Sequence, residues 1–306
     1  ESATGGGSSA DGGEVVINAV DLLMEGGEFN SSSFGSGRGG SVEVNVDNAL
    51  IDGGFILSAA FEDGDAGTVT LNVADTLQLQ GFGKIEAFTL GAGDAGDVLV
   101  RAGEVRLDTG QINSDTFGSG NSGSVTVEAA GSITLEDQSS FQALSSDFAT
   151  GNAGSVRVVA GDTITIYDQF SGISAETRGV GNAGSVYVEA DTILMGPDPD
   201  VLFAGGRINS VTVAQGNAGD VTVVANPLVL REVSRIDATA FFGATGDAGQ
   251  VRVDVANLID LGEFTRIESN NFGTGAGGDV EVSGGTILLG DQARIRAPAL
   301  DAGDAG

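Results

Sequence analysis

Valine recurs along this chain in a fixed column. Ten valines stand two residues after a glycine: Val15, Val42, Val69, Val98, Val125, Val156, Val186, Val221, Val251 and Val280. Two residues further on comes a second apolar column: Ile17, Val44, Leu71, Val100, Val127, Val158, Val188, Val223, Val253 and Val282. The residue between them varies freely, with Glu43, Thr70, Leu99, Arg157 and Tyr187 among its occupants. Alternation with period two marks a strand with one buried face, and β-branched side chains suit that surface. The glycines themselves, from Gly13 to Gly306 in ten steps, set a repeat of about 29 residues.

Each repeat carries two more short patterns. A second alternating pair follows nine or ten residues after the glycine, as in Leu77 and Leu79, Ile133 and Leu135, or Ile164 and Ile166. A third reads apolar-x-small, as in Ile85 with Ala87, Ile112 with Ser114, and Ile267 with Ser269. Three residues later an apolar side chain often returns: Phe34, Phe61, Leu90, Phe117, Val213, Phe241, Phe272 and Leu300. No stretch shows a sustained helical period or a capped helix. Strands this short cannot bury a face by folding into hairpins, but stacked repeats can. The pattern predicts an all-β, right-handed parallel β-helix of about ten coils of 27–35 residues, with three short parallel sheets. At a strand spacing of about 4.8 Å, ten coils make a rod of about 48 Å. A ten-bladed propeller fits poorly, because its blades are four antiparallel strands in about 40 residues or more.

The expected organisation is the end of a preceding coil at 1–12, then one β-helix of ten repeats at 13–306, with a loop insertion at 196–206. Before the first strand of nearly every coil stands Gly-Asn/Asp-Ala/Gly-Gly. Its second position is filled by Asp65, Asp94, Asn121, Asn152, Asn182, Asn217 and Asp247. An Asx turn is the expected role, with the side chain bonding its own backbone, and the following glycine permits close backbone approach. Stacked carboxylates holding calcium are the alternative. Free exchange of Asn for Asp suits the turn better than a charged ligand.

Composition narrows the function. There are 51 glycines, 43 acidic and 13 basic side chains, a net charge of -30, and no His, Cys or Trp. Cys/His zinc sites, disulfides and triads with a His or Cys member are excluded. A chain this acidic is not expected to bind nucleic acid, which needs clustered Lys/Arg. With 41% hydrophobic residues it is too apolar for a solvated coil. No apolar run reaches the roughly 18 residues of a membrane helix, so no direct membrane insertion is expected, and no signal peptide is legible.

Two groups invite chemistry. Lys84, the single lysine, and Arg207, Arg235, Arg266 and Arg294 share an outward column on the third strand, with Glu86, Asn209, Asp237 and Glu268 two residues on. A solvated ladder of compensating charges is the plain expectation; a groove for acidic glycans is the sharper one. In the longest repeat, Asp198 and Asp200 within Gly196-Pro197-Asp198-Pro199-Asp200 are the candidate metal ligands. Two carboxylates fall short of the six to eight oxygens calcium wants, so no cofactor is expected, with calcium as the alternative. No catalytic residue emerges.

The run Gly120-Asn121-Ser122-Gly123-Ser124-Val125-Thr126-Val127 followed by Ser132-Ile133-Thr134-Leu135, and Gly181-Asn182-Ala183-Gly184-Ser185-Val186, resemble the repeats of cyanobacterial filamentous-haemagglutinin-like exoproteins. The resemblance covers essentially the whole chain, and it rests on a scaffold motif rather than an active site. Such proteins are similar to two-partner secretion proteins, exported through an outer-membrane β-barrel and carried on or shed from the cell surface. Their secretion domain has an Asn-Pro-Asn-Gly motif, whereas this chain has only Asn226-Pro227-Leu228, which implies a segment downstream of that domain. The resemblance implies a non-enzymatic extracellular adhesin or filament segment. Its expected partner is a cell-surface or matrix component, with a glycan as one candidate. End-to-end self-association through uncapped strand edges is also expected. The alternatives are a glycan-binding or polysaccharide-active β-helix and a calcium-dependent matrix protein.

Overall fold

The computed structural model describes residues 2–4, 9–196 and 205–299. Among them every regular element is a β-strand, and all the strands pair in parallel as a β-solenoid. One rung shows the plan. Val125–Ala129 forms the first face, Ile133–Glu136 the second and Ser140–Ser145 the third. Nine parallel pairings join the ten first-face strands. Successive rungs are offset by as few as 27 residues, where Val15 lies opposite Val42, and as many as 35, where Val186 lies opposite Val221. Residues Ser2–Thr4 pair with Ser31–Ser33 as a further third-face strand.

The valines stack as the alternation requires. From Val42 to Val251 each member of the column is at most 1% exposed, and the second column is equally buried. Full burial of one such side chain contributes about 1.5–3 kcal/mol as an upper estimate. The interior is mainly aliphatic; among the described residues Phe141 is the one fully buried aromatic ring. The terminal columns, Val15 and Ile17 at one end and Val280 and Val282 at the other, are only partly buried against this core.

The three strand columns make the three faces of the solenoid, two of which are joined in one hydrogen-bonded sheet. The third face is an eleven-stranded sheet, while the first and second share one sheet. In four rungs a single strand runs through the corner between them: Val69–Gln80, Val98–Asp108, Val251–Leu261 and Val280–Leu289. The bend is taken up by register shifts at Ala102/Glu104 and Val255/Leu258. The other two corners break the ladder. Between faces two and three the backbone turns through left-handed positions, including Phe82, Thr109, Gln138, Glu232 and Phe264.

The glycine-rich corner between faces three and one is built on contact. A Cβ at Gly67, Gly96, Gly123 or Gly154 would meet the carbonyl oxygen of the same glycine in the preceding rung at 1.9–2.3 Å. Gly93, Gly120 and Gly151 form a second such stack, at 1.9–2.1 Å. These glycines do not have left-handed φ, so space, not conformation, selects them. Serines of the third face brace this corner: Ser114 Oγ donates to Gly96 O (2.9 Å) and accepts from Gly123 N (2.9 Å). Ser210 does the same between Gly184 and Gly219.

The Asn/Asp column departs from an Asx turn. Each side-chain oxygen accepts from the backbone N–H of the equivalent residue one rung on: Asn121 N to Asp94, Asn152 N to Asn121, Asn182 N to Asn152, Asn217 N to Asn182, and Asp247 N to Asn217, at 2.7–2.9 Å. Rung stacking places the next N–H within reach of Oδ1. Only that oxygen is required, which explains why Asn and Asp exchange freely.

Candidate binding groove on the third face

The outward side of the third face carries three columns of side chains. The first contains Lys84, Gln111, Ser140, Gly172, Arg207, Arg235, Arg266 and Arg294, adjacent in parallel register. The second includes Glu86, Asn113, Asn209, Asp237 and Glu268, and the third includes Asp115, Thr239 and Asn270. Strand alternation turns all of them away from the valine core, yet several are nearly inaccessible: Asn113, Asp237, Glu268 and Asn270 are each 4% exposed. Asn209, Asp237, Thr239, Glu268 and Asn270 line a groove that runs across rungs from Gln111 to Arg296.

Aromatic side chains flank it. On one side Phe82 and Phe264 project from left-handed positions, φ 63° and 60°, and remain exposed together with Phe170. On the other stand Phe34, Phe61, Phe88 and Phe117, in a continuous run of ring contacts, and further along Phe242 stacked on Phe272 at 5.0 Å. The apolar column seen in the sequence thus lies outside the core, where Phe34, Leu90 and Phe117 are exposed.

Charges on the floor are partly matched. Arg296 Nε donates to Glu268 Oε1 at 2.8 Å, and Asn270 Nδ2 to Glu268 Oε2 at 3.0 Å. Arg235 Nε lies 3.3 Å from Asp237 Oδ1 without the alignment of a hydrogen bond, while Thr239 Oγ1 donates to Asp237 Oδ2 at 2.8 Å. Lys84 Nζ stands 3.6 Å from Glu86 Oε2. Among the described residues, Arg207, Arg266 and Arg294 have no ion pair. Buried oxygens without a hydrogen bond cluster on this face as well: Oδ1 of Asn113, Asp115, Asp237 and Asn270.

Burial reshapes acidity along the floor. Asp115 sits in register between Phe88 and Leu144. Loss of water, then repulsion from Glu86, pushes its carboxyl up to about 8. Burial also raises Glu86, against the pull of Lys84, and Asp237, against the pull of Arg235. Burial, then the neighbouring Arg235, lowers Arg207. The sequence carried the clue to Asp115, since its outward column reads Phe88, Asp115, Leu144 in successive repeats. The groove itself left no such trace.

The other candidates fall elsewhere. Asp198 and Asp200 lie outside the described residues. No group of three or more His, Cys, Asp or Glu side chains able to hold a metal ion occurs among the described residues. A more open depression follows the corner between faces one and two, where amides satisfy one another: Asn72 donates to Asn45 at 2.8 Å and Asn45 to Asn18 at 3.0 Å.

The fold and groove together define a parallel β-solenoid with an elongated polar cleft. No family model, curated protein or solved structure matches this chain.

Proposed function

We propose that the chain is a non-enzymatic segment of a stiff extracellular rod, serving adhesion or matrix building at the cell surface. The supporting observation is continuity. The same inward columns, glycine stacks and Asn/Asp ladder pass from rung to rung, giving an elongated body whose length grows by about 4.8 Å per rung. The resemblance to filamentous-haemagglutinin-like repeats points the same way. The strong negative charge keeps such rods soluble and discourages sideways association. Antibody raised against the chain should label intact cells of the organism that makes it, and brief protease treatment of those cells should remove the signal. Labelling only after lysis overturns the extracellular reading.

One observation favours a polysaccharide-active reading: a carboxyl that keeps its proton at neutral pH, Asp115, near Glu86 on the same face. General acids of glycoside cleavage have raised acidities of this kind. The apolar neighbours Phe88 and Leu144 account for the shift without catalysis, so the structural reading is preferred. Release of reducing ends from a polysaccharide by the native chain, lost in Asp115→Asn, would reverse that preference.

A further inference from the structure

The arginine column is costly to build and has no evident structural return. Arg207, Arg235, Arg266 and Arg294 stand on four consecutive rungs, each directly opposite the next. Like charges in directly opposed positions destabilise a sheet. Across the whole chain acidic side chains outnumber basic ones 43 to 13, so partners are abundant. Most other arginines have them: Arg101 with Glu128, Arg106 with Glu104, Arg231 with Asp260 and Arg252 with Glu281. In the column only Arg235 is ion-paired among the described residues.

We infer that this part of the groove binds a linear anionic polysaccharide, one carboxylate-bearing sugar per rung. The ladder spacing is about 4.8 Å, close to the length of one pyranose residue, so a uronic-acid polymer lying across the rungs passes about one sugar per rung and turns a carboxylate toward about every second or third guanidinium. Arginine is suited to this, since its planar fork holds a carboxylate through two parallel bonds. Beside the column, Asn209 lines the groove and offers its amide to sugar hydroxyls. Phe264 on one side and Phe242 on the other expose ring surface for the apolar faces of the sugars. Phe264 holds the left-handed position that this corner also uses in other rungs, and there its ring lines the groove. Nucleic acid is the weaker fit. Its phosphates are dense, and the remainder of the surface would repel them.

The inference extends the adhesive reading and rests on it only for the natural partner. A gel experiment reads the groove and cell labelling reads location, so the two can fail separately. The purified chain is run through native gels containing polygalacturonate, alginate or neutral dextran, with chelator present to exclude calcium bridging. Chain and uronan are both negative, so retention in the first two gels reports a site rather than bulk attraction. Retention by a uronan and none by dextran is expected. The double variant Arg207→Gln/Arg266→Gln should weaken it by about tenfold or more, the loss of one or two charge-assisted contacts. Arg101→Gln/Arg106→Gln, on the other faces, should leave it unchanged. Because the double variant relieves like-charge crowding, it should melt at or above the parent temperature, so loss of retention is not loss of fold. Any of four results overturns the inference: no retention by either uronan, equal retention by dextran, unaltered retention of the double variant, or displacement by oligothymidylate at lower concentration than by oligogalacturonate.

Discussion

Replacing Asp115 by Asn makes stability less dependent on pH, in a direction the structure dictates. In the folded chain the Asp115 carboxyl lies between Phe88 and Leu144 and keeps its proton up to about pH 8, whereas an unperturbed carboxyl ionises near 3.8. Between those values the unfolded chain binds fewer protons than the folded one. Stability from this group is therefore complete below about pH 4 and is lost as pH rises toward about 8, at about 1.4 kcal/mol per pH unit. From pH 5 to pH 8 the loss is on the order of 3 kcal/mol, equivalent to about 6 °C in melting temperature for a chain of this size. Asn has nearly the same shape and no charge to lose. Every other carboxyl titrates in both proteins, so the difference between their melting curves isolates this one. Scanning calorimetry of the two at pH 5, 6, 7 and 8 should show the variant gaining on the parent at each step. A difference that stays flat with pH, or shrinks, would refute the assignment of Asp115 as a buried, protonated carboxyl.

Other substitutions test the scaffold. Val156→Asp places a carboxylate in the column between Val125 and Val186 and should cost more than about 4 kcal/mol, while Thr126→Asp, between Leu99 and Arg157 on the outer side, should stay within about 0.5 kcal/mol; equal effects in thermal melts would refute the inward assignment. Gly154→Ala adds a Cβ 2.1 Å from Gly123 O and should lower stability by about 1–3 kcal/mol in denaturant titration; a gain would show that close contact does not select that glycine. Asn182→Asp keeps the oxygen that accepts from Asn217 N at 2.9 Å and should be near neutral, whereas Asn182→Ala should cost about 1 kcal/mol; equal losses would mean that the amide nitrogen, not the oxygen, matters.

Much of this architecture was legible from one sequence because a solenoid repeats its own evidence. A single Val-x-Val is weak, but ten at a common spacing assign the inward face, the strand direction and the rung. The glycine stacks were legible for the same reason. Errors came where a side chain interacts with its copy one rung away. Asn152 and Asn182 are 30 residues apart in the chain and in hydrogen-bond contact in space, so a local turn was the natural expectation. At one corner Val98–Asp108 stays extended through a register shift that no residue type announces, and this joins two of the three faces in one ladder.

The sequence alone determined which side of each strand faces inward, since burying apolar side chains in a period-two pattern leaves one arrangement. It also placed Lys84 and the four arginines in one outward column. It could not say whether that outward side would be a solvated ladder or a groove. Exposure of an outward residue depends on what stands beside it. Here the phenylalanines at the two corners, and the stacking that closes Asn113, Asp115 and Asp237 away from water, exist only once the rungs are assembled. Desolvation is a property of the assembled surface, and it is what separates a floor of buried, partly unmatched polar groups from an ordinary charged face.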